Sequence, residues 1–357
     1  MEEYSVYRDI QARTGGEIYL GVVGPVRTGK STFIKRFMEQ MVLPGITDEH
    51  QKNRTRDELP QSAAGKTIMT TEPKFVPKEA ARIDLGEDTA VKVRLVDCVG
   101  FMTEGASGHM ENEKERLVKT PWFEESIPFT MAAEIGTRKV IRDHSTIGLV
   151  ITTDGSFGEL ERQAYIKPEE TAVRELQEIG KPFLVLLNSS RPYSEETRNL
   201  ARELETKYGV CVMPVNCEQL KAGDIYQILK QVLFEFPVTE VDFQIPKWLE
   251  ILPASHWLKQ QAVKAARNAM SHIRRMKDLT DSWKDDEAEA VNSMETGRMD
   301  LSNGKVTVRM LFEDGYYYQI LSDFSGLSIA DEYQLMQQLK DLAAKKSEYD
   351  KIQNAIE

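Results

Sequence analysis

Cysteine is scarce. Three occur in 357 residues, Cys98, Cys211 and Cys217, at no spacing that suits a zinc ribbon or a CxxC pair. A disulfide framework and a structural zinc site therefore have no support, and a reducing cytoplasm is the default expectation. An excess of basic charge is also missing: 46 Lys and Arg stand against 57 Asp and Glu, a formal net charge of −11. That balance repels a phosphodiester backbone, so general binding of DNA or RNA is not expected. The opening MEEYSVYRDI has acids where a secretory leader carries basic residues. No apolar run approaches the roughly 20 residues that span a bilayer, so neither secretion nor membrane spanning is expected. Contact with a membrane through a partner stays open.

What is present reads as two domains, since a domain takes about 150 residues. Short apolar runs bounded by turn residues predict buried strands at 18–23 (IYLGVV), 91–96 (VKVRLV), 147–151 (IGLVI), 183–187 (FLVLL) and 210–215 (VCVMPV). Helical spacing fills most of the intervals. One case runs Ile225, Ile228, Leu229, Val232, Leu233, Phe236, with Asp224 read as its N-cap. Strand–helix alternation predicts an α/β fold with a mostly parallel sheet and a ligand at the carboxyl ends of its strands. After Pro237 the texture changes, which places one domain at 1–238 and a smaller α+β domain at 239–357. In the second, 256–278 predicts a helix with a basic face, and 283–290 (WKDDEAEA) a solvated acidic stretch. The runs 305–312 and 316–321, joined by Glu313-Asp314-Gly315, predict a β-hairpin. The helical segment from Asp331 stops at Ile356-Glu357 without a glycine or proline, as expected of a piece of a longer protein.

The strongest local signal is Gly24-Pro25-Val26-Arg27-Thr28-Gly29-Lys30-Ser31, which fills every fixed position of GxxxxGK[ST] between a predicted strand and a predicted helix. Glycines let the backbone curl so that successive N–H groups and the helix N-terminus face phosphate oxygens. Lys30 then reaches the β and γ phosphates, and Ser31 offers a hydroxyl to Mg²⁺, a hard cation that takes oxygen ligands. These eight residues, with Thr32 and Asn188, are the candidate nucleotide contacts.

Arg94-Leu95-Val96-Asp97-Cys98-Val99-Gly100 is an apolar strand ending in Asp-x-x-Gly, where an acidic partner of Mg²⁺ is expected. Between the two motifs, Thr70 and Thr71 lie where P-loop switch proteins carry the threonine that senses γ-phosphate and metal. Lys30, Thr70, Thr71 and Asp97 are the candidate catalytic residues, and Ser31, Thr70, Thr71 and Asp97 the candidate metal ligands. The glutamine that orients water after Asp-x-x-Gly in Ras-like switches is replaced by Phe101. Thr70 and Thr71 are the nearest candidates for that role, with Arg27 or a neighbouring subunit's arginine as the candidate charge stabiliser. The guanine-reading Asn-Lys-x-Asp is represented by Asn188-Ser189-Ser190-Arg191, which lacks the lysine and the acceptor aspartate, so ATP is at least as good a candidate as GTP.

The segments RTGGEIYLGVVGPVRTGKSTFIKRFME, DELPQSAAGKTIMTTEPKFVP, VRLVDCVG, EIGTRKVI and HSTIGLVITTDGS closely resemble the stage IV sporulation protein A family, at high similarity to about residue 240 and more loosely beyond. The resemblance implies a P-loop NTPase of the GTPase-like, TRAFAC type that hydrolyses ATP with Mg²⁺. It implies self-assembly into a polymer forming the basal layer of the spore coat. Lys30 and Ser31 match the Walker A positions, Asp97 the Walker B position, and Thr70 and Thr71 the sensor threonines. A mother-cell location is implied, peripheral to the outer forespore membrane, with a small amphipathic membrane protein and other coat and encasement proteins as partners. The family's further C-terminal domain is expected to lie outside this chain. Two other readings are a nucleotide-stabilised scaffold without required turnover, and a GTPase of ribosome assembly, which the acidic charge disfavours.

Overall fold

The computed structural model describes residues 17–46, 48–57, 59, 73–84, 90–106, 110–111, 114–158, 160–279, 282–285, 287–300 and 304–356. The chain divides into two compact units, Met1–Pro237 and Val238–Glu357.

The first unit is built on a six-stranded sheet. Its strands are β1 (Glu17–Val23), β2 (Lys74–Asp84), β3 (Ala90–Asp97), β8 (Ile147–Thr153), β9 (Phe183–Asn188) and β10 (Val212–Val215), in the order β10-β9-β8-β1-β3-β2. Four short strands, β4 (Met110–Glu111), β5 (Lys114–Glu115), β6 (Leu117–Thr120) and β7 (Phe123–Pro128), make two separate hairpins. All neighbours in the main sheet are parallel except β2, which runs antiparallel to β3 at the edge.

Every residue of β8 and β9 is buried, the pattern of strands covered on both faces. Helices supply the cover. Arg162–Ile179 turns Tyr165, Ala172, Val173 and Leu176 inward, and Ala222–Phe234 turns in Ile225, Ile228, Leu229, Val232 and Leu233. Full burial of each large aliphatic contributes about 1.5–3 kcal/mol before entropy is counted. Glu195–Tyr208 starts on a Ser194 cap, whose Oγ accepts from Thr197 N–H at 3.2 Å, and ends on Gly209. Asp224 is not the N-cap of its helix. It sits in the first turn and reaches back, its Oδ2 accepting the Lys221 N–H at 2.9 Å.

The second unit holds a four-stranded sheet in the order β11-β14-β13-β12, from β11 (Glu240–Gln244), β12 (Ser282–Trp283), β13 (Val291–Asp300) and β14 (Lys305–Phe312). β14 alternates, burying Val306, Val308 and Met310 and exposing Lys305 and Arg309, so one face is solvated. Its antiparallel partner is β13, not a strand at 316–321. The expected hairpin is overturned: Asp314–Ser325 is a helix, entered from an extended Glu313. Asp314 lies in the first turn, where the helix dipole favours an acid. The three tyrosines that suggested a strand make ring contacts from the helix instead: Tyr316 with Trp257, and Tyr317 with Trp248 and Tyr318. The helix predicted over 256–278 spans Trp257–His272 and stops where Ile273 turns extended. Glu332–Ile356 is a 25-residue helix. No helix among the described residues is long and apolar enough to cross a membrane.

Candidate functional site

β1 is the strand at which the sheet reverses its order, with β3 on one side and β8 on the other. A ligand is expected outside the carboxyl ends there, and 24–29 is the loop that leaves this end. Gly24 has φ +122°, and a Cβ on it would lie 2.5 Å from the Ile151 carbonyl oxygen, so only glycine lets the loop leave β1 this way. The loop is then pinned on the β3 side. Phe101 N–H donates to Gly24 O at 3.0 Å, and Val26 N–H to Phe101 O at 2.9 Å. Thr28 Oγ1 donates to Pro25 O at 3.0 Å. Arg27, exposed, is the only described non-glycine residue with positive φ, +63°.

Lys30 opens the helix Lys30–Phe37 and is 5% exposed. Its amine donates to Pro25 O at 2.5 Å and reaches Gly24 O at 3.5 Å, so the ammonium closes the loop on itself. Burial pushes its pKa down, while Cys98 and Asp97 push it up. Phosphate oxygens arriving at this amine would meet a donor already desolvated, which strengthens the contact they make.

Asp97 ends β3 beside Lys30. Burial raises its carboxyl to about 6 against the pull of Lys30, and its Oδ1 is buried with no hydrogen-bond partner. A buried carboxylate oxygen without a donor suits a cation or a bound water. The Asp97 carboxylate and the Ser31 hydroxyl are oxygen donors of the kind Mg²⁺ takes alongside substrate phosphates, so this donor set fits that ion. Among the described residues no group of three or more His, Cys, Asp and Glu gathers as a metal cage. Three residues on, Gly100 has φ +101°, and a Cβ there would stand 2.5 Å from the Lys30 amine. Its N–H donates to the buried Thr137 Oγ1 at 3.1 Å. The Cys98 thiol is pushed up to about 11 by burial, which removes it as a nucleophile.

Asn188 comes from the end of β9 and is 4% exposed. Its Nδ2 donates to Thr28 O at 3.0 Å, and its Oδ1 accepts from Cys217 N–H at 3.0 Å. Both ends of the amide thus brace the phosphate loop against the segment after β10. Gly24, Pro25, Val26, Thr28, Gly29, Lys30, Asp97 and Asn188 come together, with Ser31 and Thr32 half-buried on the first helical turn. Thr70 and Thr71 lie outside the described residues.

Sequence reasoning missed the set beside Asn188. Asp154 leaves the end of β8, and its N–H donates to Asn188 O at 3.4 Å. Burial pushes its pKa up, but hydrogen bonds from Ser156, Ser189 and Thr197 outweigh that and hold the carboxyl below its ordinary value. A second missed group lies behind it. Glu169, fully buried, accepts both Arg162 guanidinium nitrogens (2.5 and 2.8 Å), the Tyr208 hydroxyl (2.6 Å) and the Thr152 hydroxyl. The only signal for either was an Asp-Gly turn after a buried strand and a Glu on an apolar helix face.

Comparison with known proteins agrees along the whole chain. A family model described as Stage IV sporulation protein A, ATPase domain, matches residues 1–237, and one described as its middle domain matches 238–357. The chain is 45% identical over all 357 residues to Stage IV sporulation protein A of Bacillus anthracis, covering 73% of that protein, and equally to that of Bacillus subtilis (strain 168). The protein of the same name from Clostridioides difficile (strain 630) is 45% identical over 353 residues, 99% of this chain and 72% of the relative.

Proposed function

The chain belongs to the stage IV sporulation protein A family, and from that premise we propose that it hydrolyses ATP with Mg²⁺ and uses turnover to assemble with copies of itself into the basal layer of the spore coat. One observation carries the enzymatic part: a buried Lys30 amine on a curled amide loop, beside a buried Asp97 oxygen that has no protein partner. Lys30 and the loop N–H groups bind the triphosphate and hold its charge as it builds on the leaving oxygens. Ser31 and Asp97 would hold Mg²⁺, which supplies further neutralisation of phosphate charge. Thr70 and Thr71 are assigned the sensing of γ-phosphate. The antiparallel edge strand β2 and the Asp-x-x-Gly turn after β3 support a GTPase-like, TRAFAC-type arrangement.

Assembly follows from loss of γ-phosphate, which releases the loop that it held. Its setting is the mother-cell side of the outer forespore membrane, with a small amphipathic membrane protein and other coat proteins as partners.

Phosphate release from ATP and from GTP, followed by sedimentation of the same samples, tests this reading. Lys30→Ala is expected to weaken ATP binding at least ten-fold, the order of one lost charge-assisted contact, and Asp97→Ala to depress turnover. Wild-type rates in both variants would refute the site, and equal polymer with a non-hydrolysable ATP analogue would refute the energy-driven step.

A further inference from the structure

The phosphate loop is closed on its β3 side by the main-chain pairing of Pro25 with Phe101. On the other side it is joined by Asn188 to the loops that follow β8, β9 and β10. A nucleoside attached to phosphates in the loop therefore extends over that second side, across 154–156 and 188–191. Those loops are not covalent neighbours, yet they are tied together by an unusual density of hydroxyl bonds. Asp154 Oδ1 accepts the Ser156 N–H at 2.9 Å and its Oδ2 accepts the Thr197 hydroxyl at 3.4 Å. Ser189, fully buried, also bonds to the carboxylate and lies 3.2 Å from the Thr197 hydroxyl. The exposed strip is fixed in turn: Ser190 N–H donates to Ser156 Oγ at 2.8 Å, and Arg191 N–H to Ser189 Oγ at 3.0 Å.

Resting on the nucleotide reading above, we infer that Asp154 is a positioning residue for the nucleoside half of the substrate, clasping the loop 188–191 at the place where a purine is held. In guanine readers a carboxylate in this loop accepts from the base, and Arg191 stands there in this chain. Asp154 is the carboxylate that reaches the loop, and it is committed to protein donors, so it shapes the pocket without reading the base. Arg162, held by Glu169, steadies the same turn from behind through a 3.3 Å bond to Thr153 O.

Calorimetric titration of the full chain with ATP, GTP and inorganic triphosphate, each with Mg²⁺, separates this role from a general loss of structure. Asp154→Ala is expected to weaken ATP and GTP about ten-fold each while leaving triphosphate within two-fold. Asp154→Asn keeps an acceptor for Ser156 N–H and is expected to restore part of the loss. An equal loss for triphosphate, a loss confined to one purine, or unchanged binding of all three by Asp154→Ala would overturn the clasp. Failure of the wild-type protein to bind any of them would instead remove the nucleotide site itself, and the clasp with it. Should Asp154→Ala fail to fold, Thr197→Val removes one arm of the same network, and its ATP-to-triphosphate affinity ratio must fall in the same direction.

Discussion

Between Gly24 and Lys30 the chain is shaped by positive φ, by main-chain pairing with Phe101 and by the amine of Lys30. Between Asp154 and Thr197 it is shaped by one carboxylate and a group of hydroxyls drawn from two loops. Both regions stand at the same end of one sheet, and both position a main-chain surface. The first depends on where a Cβ cannot go, the second on where a proton is donated. A Cβ excluded by backbone is an all-or-none constraint, whereas each hydroxyl bond has a net worth of about 1 kcal/mol. Damage to the two should therefore differ in size and in pH response.

The largest effect is expected from Gly24→Ala. The new methyl meets the Ile151 carbonyl at 2.5 Å from a residue at φ +122°, and neither can retreat without moving β1 or β8. Strain and clash together should cost about 4 kcal/mol, seen as a lowered urea midpoint, and ATP binding should be lost. If Gly24→Ala binds ATP normally, the loop is not held by backbone exclusion and the contrast with the hydroxyl region disappears.

Next is the pH response of the ligand-free protein. Asp97 has its carboxyl raised to about 6, so the folded state binds its proton more tightly than the unfolded chain does. The stability this gives is present below the unfolded value of 3.8 and is lost as pH rises through about 6, amounting to up to about 3 kcal/mol. Asp154 is shifted down, so its contribution has the opposite slope: present above the ordinary carboxylate value and lost as pH falls through the lower folded one. Urea unfolding between pH 4 and 7 should show Asp97→Asn removing the decline. A wild-type protein whose stability is flat across that range, with Asp97→Asn no different, would mean the carboxylate is not desolvated.

The same distinction explains what was legible in the sequence. Eight consecutive residues encode the phosphate loop, because a curled amide run needs glycine at fixed positions and a lysine one step into the helix. β8 and β9 were legible because burial on both faces leaves an apolar run, and β1, β3 and β10 because most of their residues are apolar although each has positions that are only half-buried. β2 and β13 were not: KFVPKEAARID lies at the sheet edge and carries Pro77, and VNSMETGRMD is largely polar. The helix Asp314–Ser325 was misread because aromatic residues favour strands on average, while here two of their rings make tilted and edge-on contacts with tryptophans of the second unit. The clasp was invisible for another reason. Asp154, Ser189 and Thr197 are ordinary loop and first-turn helix residues, and only the parallel register of β8 with β9, which sets Thr153 beside Asn188, brings them together.

That register gives the smallest and sharpest test. Ser189→Ala removes a buried hydroxyl: Thr197 still has Ser194 Oγ at 2.9 Å and Asp154 still has Ser156 N–H, while the N–H of the exposed Arg191 loses its acceptor. The cost should be about 1 kcal/mol in stability. Combined with Asp154→Ala, however, it should add less than its single cost, because both substitutions open the same clasp. A double-mutant cycle read by urea unfolding checks this. Strict additivity would mean that the hydroxyls and the carboxylate act separately, and the two loops would then be joined chiefly by the Asp154 N–H to Asn188 O and Ser190 N–H to Ser156 Oγ bonds. In that case this region too would rest on main-chain N–H donors, Asp154 and Ser190, and its contrast with the phosphate loop would narrow to the acceptor those donors meet.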